Sequence, residues 1–338
     1  MRNTMNQIKR LLIPAFCLLF STLQAQKKEF TIAFYNVENL YDTINEPEID
    51  DEEFLPEGKN KWNGERFSRK IDNLAKVIDS LGGGPSILGV CEVENKYVLE
   101  ELIRHPRLAA KGYGIVHRNS PDKRGIDVAM IYKLADFKPD GSTGLRVQLP
   151  GDSAYPTRDV LLVNGKLNGK PVRIFVNHWP SRRGGEEESK AKRMAAALVA
   201  RAAIDSIQKL DSKAHIILMG DLNDQPSDAS VLNGLKAEGQ DGKSDLLNLT
   251  AALAAKGEGS HSYKEAWNML DNLVVSRNMA DTKKGIRVVS SSTAIYNPIW
   301  MQDKYSRHKG APYRTYAGPK FIGGYSDHYP VYFKVLCD

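Results

Sequence analysis

The chain has 338 residues, with 47 basic and 41 acidic side chains and three cysteines. That size suits one large domain or two small ones, and no Pro/Ser-rich linker, internal repeat or low-complexity tract divides it. The net charge of +6 falls to +3 once Arg2, Lys9 and Arg10 are set aside with the N-terminal segment, too little to imply a polyanionic partner by itself.

Residues 1–25 read as a cleavable export signal: a basic start, an apolar run from Leu11 to Leu19, and Leu23-Gln24-Ala25 as a cleavage site. The run is too short to span a bilayer as a helix. Pro14-Ala15-Phe16 before Cys17 lacks the small residues of a lipoprotein signal. The expectation is a periplasmic or secreted protein, a single domain over 26–338, monomeric and without a membrane span.

Phe30–Tyr35 reads as a strand that delivers Asn36. Ile71, Leu74, Ala75, Ile78 and Leu81 recur at helical spacing, so Phe67–Leu81 is expected to be a helix stopped by Gly82-Gly83-Gly84. Ile87–Cys91 is an apolar strand that delivers Glu92, and Tyr97–Ile103 a short helix. Ile126–Tyr132 is a strand. Val160–Val176 is a hairpin folded at Asn168-Gly169, a dipeptide suited to a two-residue turn. Glu186–Leu210 reads as a long helix, followed by strands ending at Met219, spanning Leu270–Val275, and closing the chain at Tyr329–Leu336.

Three polar phrases sit at the ends of these strands: Asn177-His178-Trp179, Gly220-Asp221-Leu222-Asn223-Asp224 and Ser326-Asp327-His328. Strand ends are where a rigid scaffold places chemistry. Two histidines, two aspartates and an asparagine gathered there suit metal-assisted attack on a phosphate ester. Basic residues follow His178 (Arg182, Arg183, Lys190, Lys192, Arg193) and precede Asp327 (Lys304, Arg307, Lys309, Arg314, Lys320), which suits an anionic substrate. Glu46–Glu57 is an acidic stretch, read as a solvated loop. A sandwich of two sheets with helices on its outer faces fits this pattern better than a doubly wound sheet, and Gly-rich phosphate loops are absent.

In order and spacing these residues resemble the endonuclease/exonuclease/phosphatase superfamily, which includes pancreatic deoxyribonuclease, exonuclease III and neutral sphingomyelinases. The match runs through Asn36, Val90-Cys91-Glu92, His178, Asp221 with Asn223, Asp271 and Asp327-His328. Asn177-His178-Trp179-Pro180-Ser181 and Gly324-Tyr325-Ser326-Asp327-His328 are similar to secreted bacterial nuclease-like members. Cys91 stands where the family has Gln, and Asn272 where many members have Tyr or His. The resemblance implies an α+β fold, a four-layer α/β/β/α sandwich of two mainly antiparallel sheets.

It also implies roles. Glu92, with Asp327 and Asn36, would bind Mg²⁺, with Mn²⁺ or Ca²⁺ as alternatives, and Glu94 is the second-choice carboxylate. Asp221 would orient or deprotonate the attacking water, and Asn223 would hold the phosphate. His328, held by Asp271, would be the general base or acid, and His178, paired with Asp127, a donor to a phosphoryl oxygen or the leaving group. Arg124, Arg182 and Arg314 would clamp phosphate. Simpler readings exist for each. Glu92 could open the following helix, Asp221–Asp224 could be an Asx turn, Asn36 could end a strand, each arginine could be a surface charge, and Trp179 could be core. His261 and Trp267 could line the cleft. If Glu92 and Asp327 share a site, Cys91 and Cys337 lie a strand apart and stay free thiols.

The resulting expectation is an exported metal-dependent phosphodiesterase acting on nucleic acid, most simply an endonuclease. The same chemistry on a phospholipid, sphingolipid, sugar-phosphate or inositol-phosphate substrate is the alternative, and a non-catalytic binding module a third reading. Residues 43–62 and 297–324 would set substrate choice.

Overall fold

The computed structural model describes residues 28–151, 156–305 and 308–338; the expected export signal lies outside them. In chain order the first strands are β1 (Lys28–Leu40), β2 (Ile87–Val93), β3 (Tyr113–His117) and β4 (Asp127–Lys133). β5 (Phe137–Leu145), β6 (Val160–Leu167), β7 (Lys170–His178) and β8 (Ile216–Asp221) follow. Then come β9 (Ala237–Glu238), β10 (Leu246–Asn248), the hairpin β11 (His261–Tyr263) and β12 (Ala266–Asn268), and β13 (Asp271–Ser276). β14 (Ile286–Val288), β15 (Ala294–Ile295), β16 (Tyr316–Ala317), β17 (Lys320–Phe321) and β18 (Val331–Cys337) complete the set. The principal helices are α1 (Gly64–Ser80), α2 (Lys96–Arg104), the single turn α3 (Pro106–Ala109) and α4 (Glu186–Leu210).

Two seven-stranded sheets result. One runs β14-β18-β1-β2-β4-β3 with β15 also on β18, and the other β5-β6-β7-β8-β13-β10-β9. Most pairings are antiparallel; β1–β2, β7–β8 and β9–β10 are parallel. Alternation along β1 explains the layering. Phe30, Ile32 and Phe34 face the second sheet and pack with Ile174, Val176, Met219, Leu273 and Phe333. Ala33, Tyr35 and Val37 face the other way, onto Leu74, Ile78 and Leu99 of α1 and α2. On the far side Phe175, Leu218 and Val274 meet Ala196, Ala197, Ala200 and Ile204 of α4. Strands buried on both faces read as near-continuous apolar runs, the pattern seen in the sequence. The architecture is the expected α/β/β/α sandwich.

Local signals act as anticipated. Asn168 (φ 47°) and Gly169 (φ 79°) make the two-residue turn between β6 and β7. α1 begins earlier than expected because Asn63 accepts a hydrogen bond from the Arg66 amide and caps it. Spacing between the sheets is set in part by Gly89 of β2. A Cβ there would lie 2.5 Å from Met219 Sδ and 3.1 Å from Phe34. Cys91 and Cys337 are both buried and free, as expected.

Candidate active site

Strand register assembles the site. Parallel pairing of β7 with β8 sets His178 opposite Asp221, and antiparallel pairing of β8 with β13 sets Asp221 opposite Asp271. Three functional side chains therefore stand in one row across adjacent strand ends of the second sheet. The first sheet supplies Asn36, opposite Cys91 in the β1–β2 ladder, and Glu92 just where that ladder loses register. His328 arrives from the turn before β18 and is bridged to His261 of the β11 hairpin.

Asp221 is the hub. Its Oδ1 accepts the Asn223 amide at 2.9 Å, so the Asx turn considered from sequence does form. Its Oδ2 is left for the site. Asn36 Nδ2 donates to it at 3.1 Å, and the Nε2 atoms of His328 and His178 lie 3.8 and 3.9 Å away. His328 Nδ1 is 2.6 Å from Asp271 Oδ2, a charge-assisted contact between two buried groups. Glu92 accepts from Asn36 Nδ2 at 3.2 Å and from the Asn39 amide at 2.9 Å. It sits in the left-handed region (φ 61°), as does Asn223 (φ 50°). Glu92 does not open a helix, since α2 is capped by Asn95.

Electrostatics separate the two histidines. Burial works against a charge on His328, but the Asp271, Asp221 and Asp327 carboxylates outweigh it and hold its pKa well above the ordinary imidazole value. Burial lowers His178 well below that value, reinforced by Arg158, Arg124 and His328. His328 is thus an imidazolium and His178 neutral. Burial, opposed by His328 and reinforced by Asp271, pushes Asp221 up to about 7. Burial lowers His261 to about 4.

The structure brings together Asn36, Glu92, His178, Asp221, Asn223, Asp271 and His328, with Asp327 beside His328. It corrects one pairing: Asp127 does not reach His178. Its carboxylate takes His117 Nε2 at 2.9 Å and the Ser120 amide at 2.9 Å, because β4 lies in the first sheet beside β3, not beside β7. Glu94 also faces elsewhere, accepting the Asp42 amide at 2.7 Å. The three arginines are engaged by protein carboxylates: Arg124 with Asp122 at 3.3 Å, Arg182 with Asp228 at 2.9 Å, Arg314 with Asp327 at 2.9 Å. Arg193 is buried against Asp224 at 2.6 Å. Trp179 is core, with Nε1 donating to Asn177 Oδ1.

Two features carry no signal in the sequence. Arg158 is buried and donates to the His178 and Trp179 carbonyls (3.2 and 2.7 Å) and to Asp122 (3.0 Å), fixing the backbone that carries His178. Lys70 and Glu38, both buried, brace the loop before Asp327. Glu38 accepts the Thr315 amide at 2.7 Å and Lys70 donates to the Tyr325 carbonyl at 2.8 Å. An isolated Arg or Lys in sequence gives no sign of such burial.

The donor set fits a hard divalent ion at Glu92. Its carboxylate is partly exposed, receives only neutral amide donors, and among the described residues has no Lys or Arg within 4.0 Å. A carboxylate with no direct Lys or Arg ion pair, although it lies in the field of Arg124, Lys70 and Arg314, suits Mg²⁺, which takes one or two carboxylates plus water and substrate oxygens. Next to Asn223 and His261 lies a cleft of about 680 Å³, also lined by Arg183, Tyr263 and Lys264.

No curated protein matches the chain. Among solved structures it is similar to D. rerio TDP2 complexed with single strand DNA product (14% identity, 91% of this chain and 98% of that one, TM-score 0.56). It is also similar to an endonuclease/exonuclease/phosphatase family protein from Bacteroides thetaiotaomicron (16%, 93% and 99%, TM-score 0.56) and to the mannosyl-6-phosphatase Bt3783 of Bacteroides thetaiotaomicron VPI-5482 (15%, 90% and 99%, TM-score 0.56). At such identities these likenesses establish the fold. Residues 31–336 match the family profile itself, which spans both sheets and every strand end just described, and the chain therefore belongs to the endonuclease/exonuclease/phosphatase family, whose members are metal-dependent phosphoric ester hydrolases.

Proposed function

We propose that the protein is an exported, divalent-metal-dependent phosphodiesterase that cleaves nucleic acid by in-line attack of water, most simply as an endonuclease. The observation that carries the chemistry is the row His178–Asp221–Asp271, with His328 held on Asp271 and Asn36–Glu92 facing it from the other sheet.

When bound at Glu92, the divalent ion supplies charge neutralisation at the phosphoryl oxygens. The protein's own groups do the rest. Asp221, with a pKa near 7, is poised to take a proton from the attacking water through Oδ2. Asn36 holds that oxygen and the Glu92 carboxylate in fixed relation. His328, kept protonated by Asp271, places a positive charge and a proton at Nε2 for the developing negative charge. Neutral His178 donates to phosphoryl oxygen. Asn223, whose Nδ2 already donates to the Trp179 carbonyl at 3.0 Å, positions the phosphate.

Arg183 and Lys264 in the cleft wall, and the neighbour crystallised with single strand DNA product, support nucleic acid. One observation favours a second reading. Arg124, Arg182 and Arg314 are already paired with carboxylates, which leaves little free positive charge for a long polyanion and suits a small phosphate ester. Nicking of supercoiled plasmid with Mg²⁺, with EDTA and Asp221→Ala controls, tests the first reading. Absence of nicking together with phosphate release from sugar or inositol phosphates would establish the second. Export and a monomeric state follow the sequence reading, and are tested by N-terminal sequencing of the secreted protein and by sedimentation.

A further inference from the structure

His261 is unexplained by the hydrolytic machinery. It lies on β11, is joined to His328 by an antiparallel bridge, and its ring centroid is 4.7 Å from that of His328. The Tyr329 amide donates to the Ser260 carbonyl at 2.8 Å, so the two histidine backbones are locked together. His261 Nδ1 is buried without a hydrogen-bond partner, a desolvated nitrogen of the kind that costs about 1–3 kcal/mol when unsatisfied. Donor atoms of His261, Asp327 and His328 all lie within 4.8 Å of one another.

We propose that His261, Asp327 and His328 form a second metal site, distinct from the oxygen-donor position at Glu92, which takes a borderline transition ion such as Zn²⁺. Ligand chemistry separates the two positions. Imidazole suits Zn²⁺, Co²⁺ and Ni²⁺, whereas Mg²⁺ requires oxygen. Two imidazoles and a carboxylate with one open position is a recurrent three-ligand zinc set. The Nδ1 of His328 is held by Asp271, the carboxylate–histidine arrangement that supports metal-bound imidazoles, and this leaves Nε2 as the ligating atom, 3.8 Å from Asp221 Oδ2. Arg314 engages Oδ2 of Asp327, and either a shift of that contact or use of Oδ1 supplies the third donor. Tetrahedral zinc needs donors about 3.4 Å apart, so separations of up to 4.8 Å must close by side-chain rotation, since the two rings lie at 36° to each other on backbones that are bridged. Binding an ion there would release the Nε2 proton of His328 to solvent and occupy the lone pair this frees, so that no proton is left to present to phosphate. On the hydrolase reading given above, the site therefore inhibits.

Binding is tested without reference to activity. Co²⁺ is titrated into the full protein in excess Mg²⁺, following the visible d–d absorption of a low-coordinate ion. One equivalent is expected to produce the bands. His261→Gln should weaken Co²⁺ binding by more than about 100-fold with its melting temperature unchanged, and Glu92→Gln should leave binding intact. No bands in wild type, bands retained in His261→Gln, or displacement by Mg²⁺ overturns the site. A second measurement addresses inhibition alone. Zn²⁺ should suppress Mg²⁺-supported hydrolysis of bis(p-nitrophenyl) phosphate in wild type and to a much smaller degree in His261→Gln. Equal suppression in both removes the regulatory role, and bands without any hydrolysis would count against the hydrolase reading while sustaining the metal site.

Discussion

Replacing Asp271 with asparagine probes the charge that holds His328 protonated. The two groups meet at 2.6 Å and both are buried. Opposite charges about 4 Å apart interact by about 4 kcal/mol at the effective dielectric of about 20 that describes protein sites. The amide of Asp271→Asn keeps the shape and can still accept from Nδ1, but supplies no charge. Of the other carboxylates near the ring, Asp221 is 3.8 Å from Nε2 and Asp327 is engaged by Arg314, so neither replaces it. Loss of about 3–4 kcal/mol of transition-state stabilisation corresponds to about 10²–10³ in kcat. The same change should lower the His328 pKa. In wild type that pKa is raised, so its contribution to stability is full below 6.5 and fades as pH rises through the folded value; in the variant this dependence should flatten. Initial rates on bis(p-nitrophenyl) phosphate with Mg²⁺, and ¹⁵N titration of the His328 ring, measure both effects. A variant within about threefold of wild type in kcat, with an unshifted ring titration, would refute the assigned role.

Arg158→Met should destabilise the fold by on the order of 3 kcal/mol in chemical denaturation, because Asp122 loses its buried partner and the His178 and Trp179 carbonyls lose their donors. Burial, with Asp42, Asp51 and Glu46 nearby, pushes Glu94 up to about 8. Its contribution to stability is therefore complete below the ordinary 4.5 and is lost as pH rises through about 8, so Glu94→Gln should flatten the fall in melting temperature across that window and gain on the order of 4 kcal/mol at its alkaline end. Gly220→Ala would set a Cβ 2.5 Å from the Asn177 carbonyl oxygen, forcing β7 and β8 apart; a loss of about 3 kcal/mol and a disproportionate loss of activity are expected from denaturation and rate measurements.

What the sequence makes legible follows from what is local. Asn168-Gly169 announces its turn because few residue pairs adopt two positive φ angles, and Glu186–Leu210 is helical over the expected span even though Ser189, Arg193 and Arg201 interrupt the apolar residues on its buried face. β3 and β5 give no such signal. Both are edge strands, and β5 carries Pro139 and Gly141 with a register shift between them, so neither shows the apolar run of a buried strand. The strand-end residues are readable as a set, yet their pairing is not. Asp127 finds His117 because strand order, invisible in a single sequence, puts β4 next to β3. Arg182 and Arg314 look free in the sequence, since Asp228 and Asp327, which also hold them, lie well downstream.

The site straddles the seam between two sheets. Within the second sheet, backbone ladders fix His178, Asp221 and Asp271, whereas the separation of that row from Asn36 and Glu92 depends on side chains meeting across the core, at Gly89 against Met219 among other places. Close-packed interiors have low compressibility, so this seam transmits a change in side-chain volume to the strand ends instead of absorbing it. Core volume at Gly89 is then a lever on the site from a distance. A bulkier side chain there would strain the 3.1 Å contact between Asn36 and Asp221 that ties the two sheets together, while leaving the ladders within each sheet as they are.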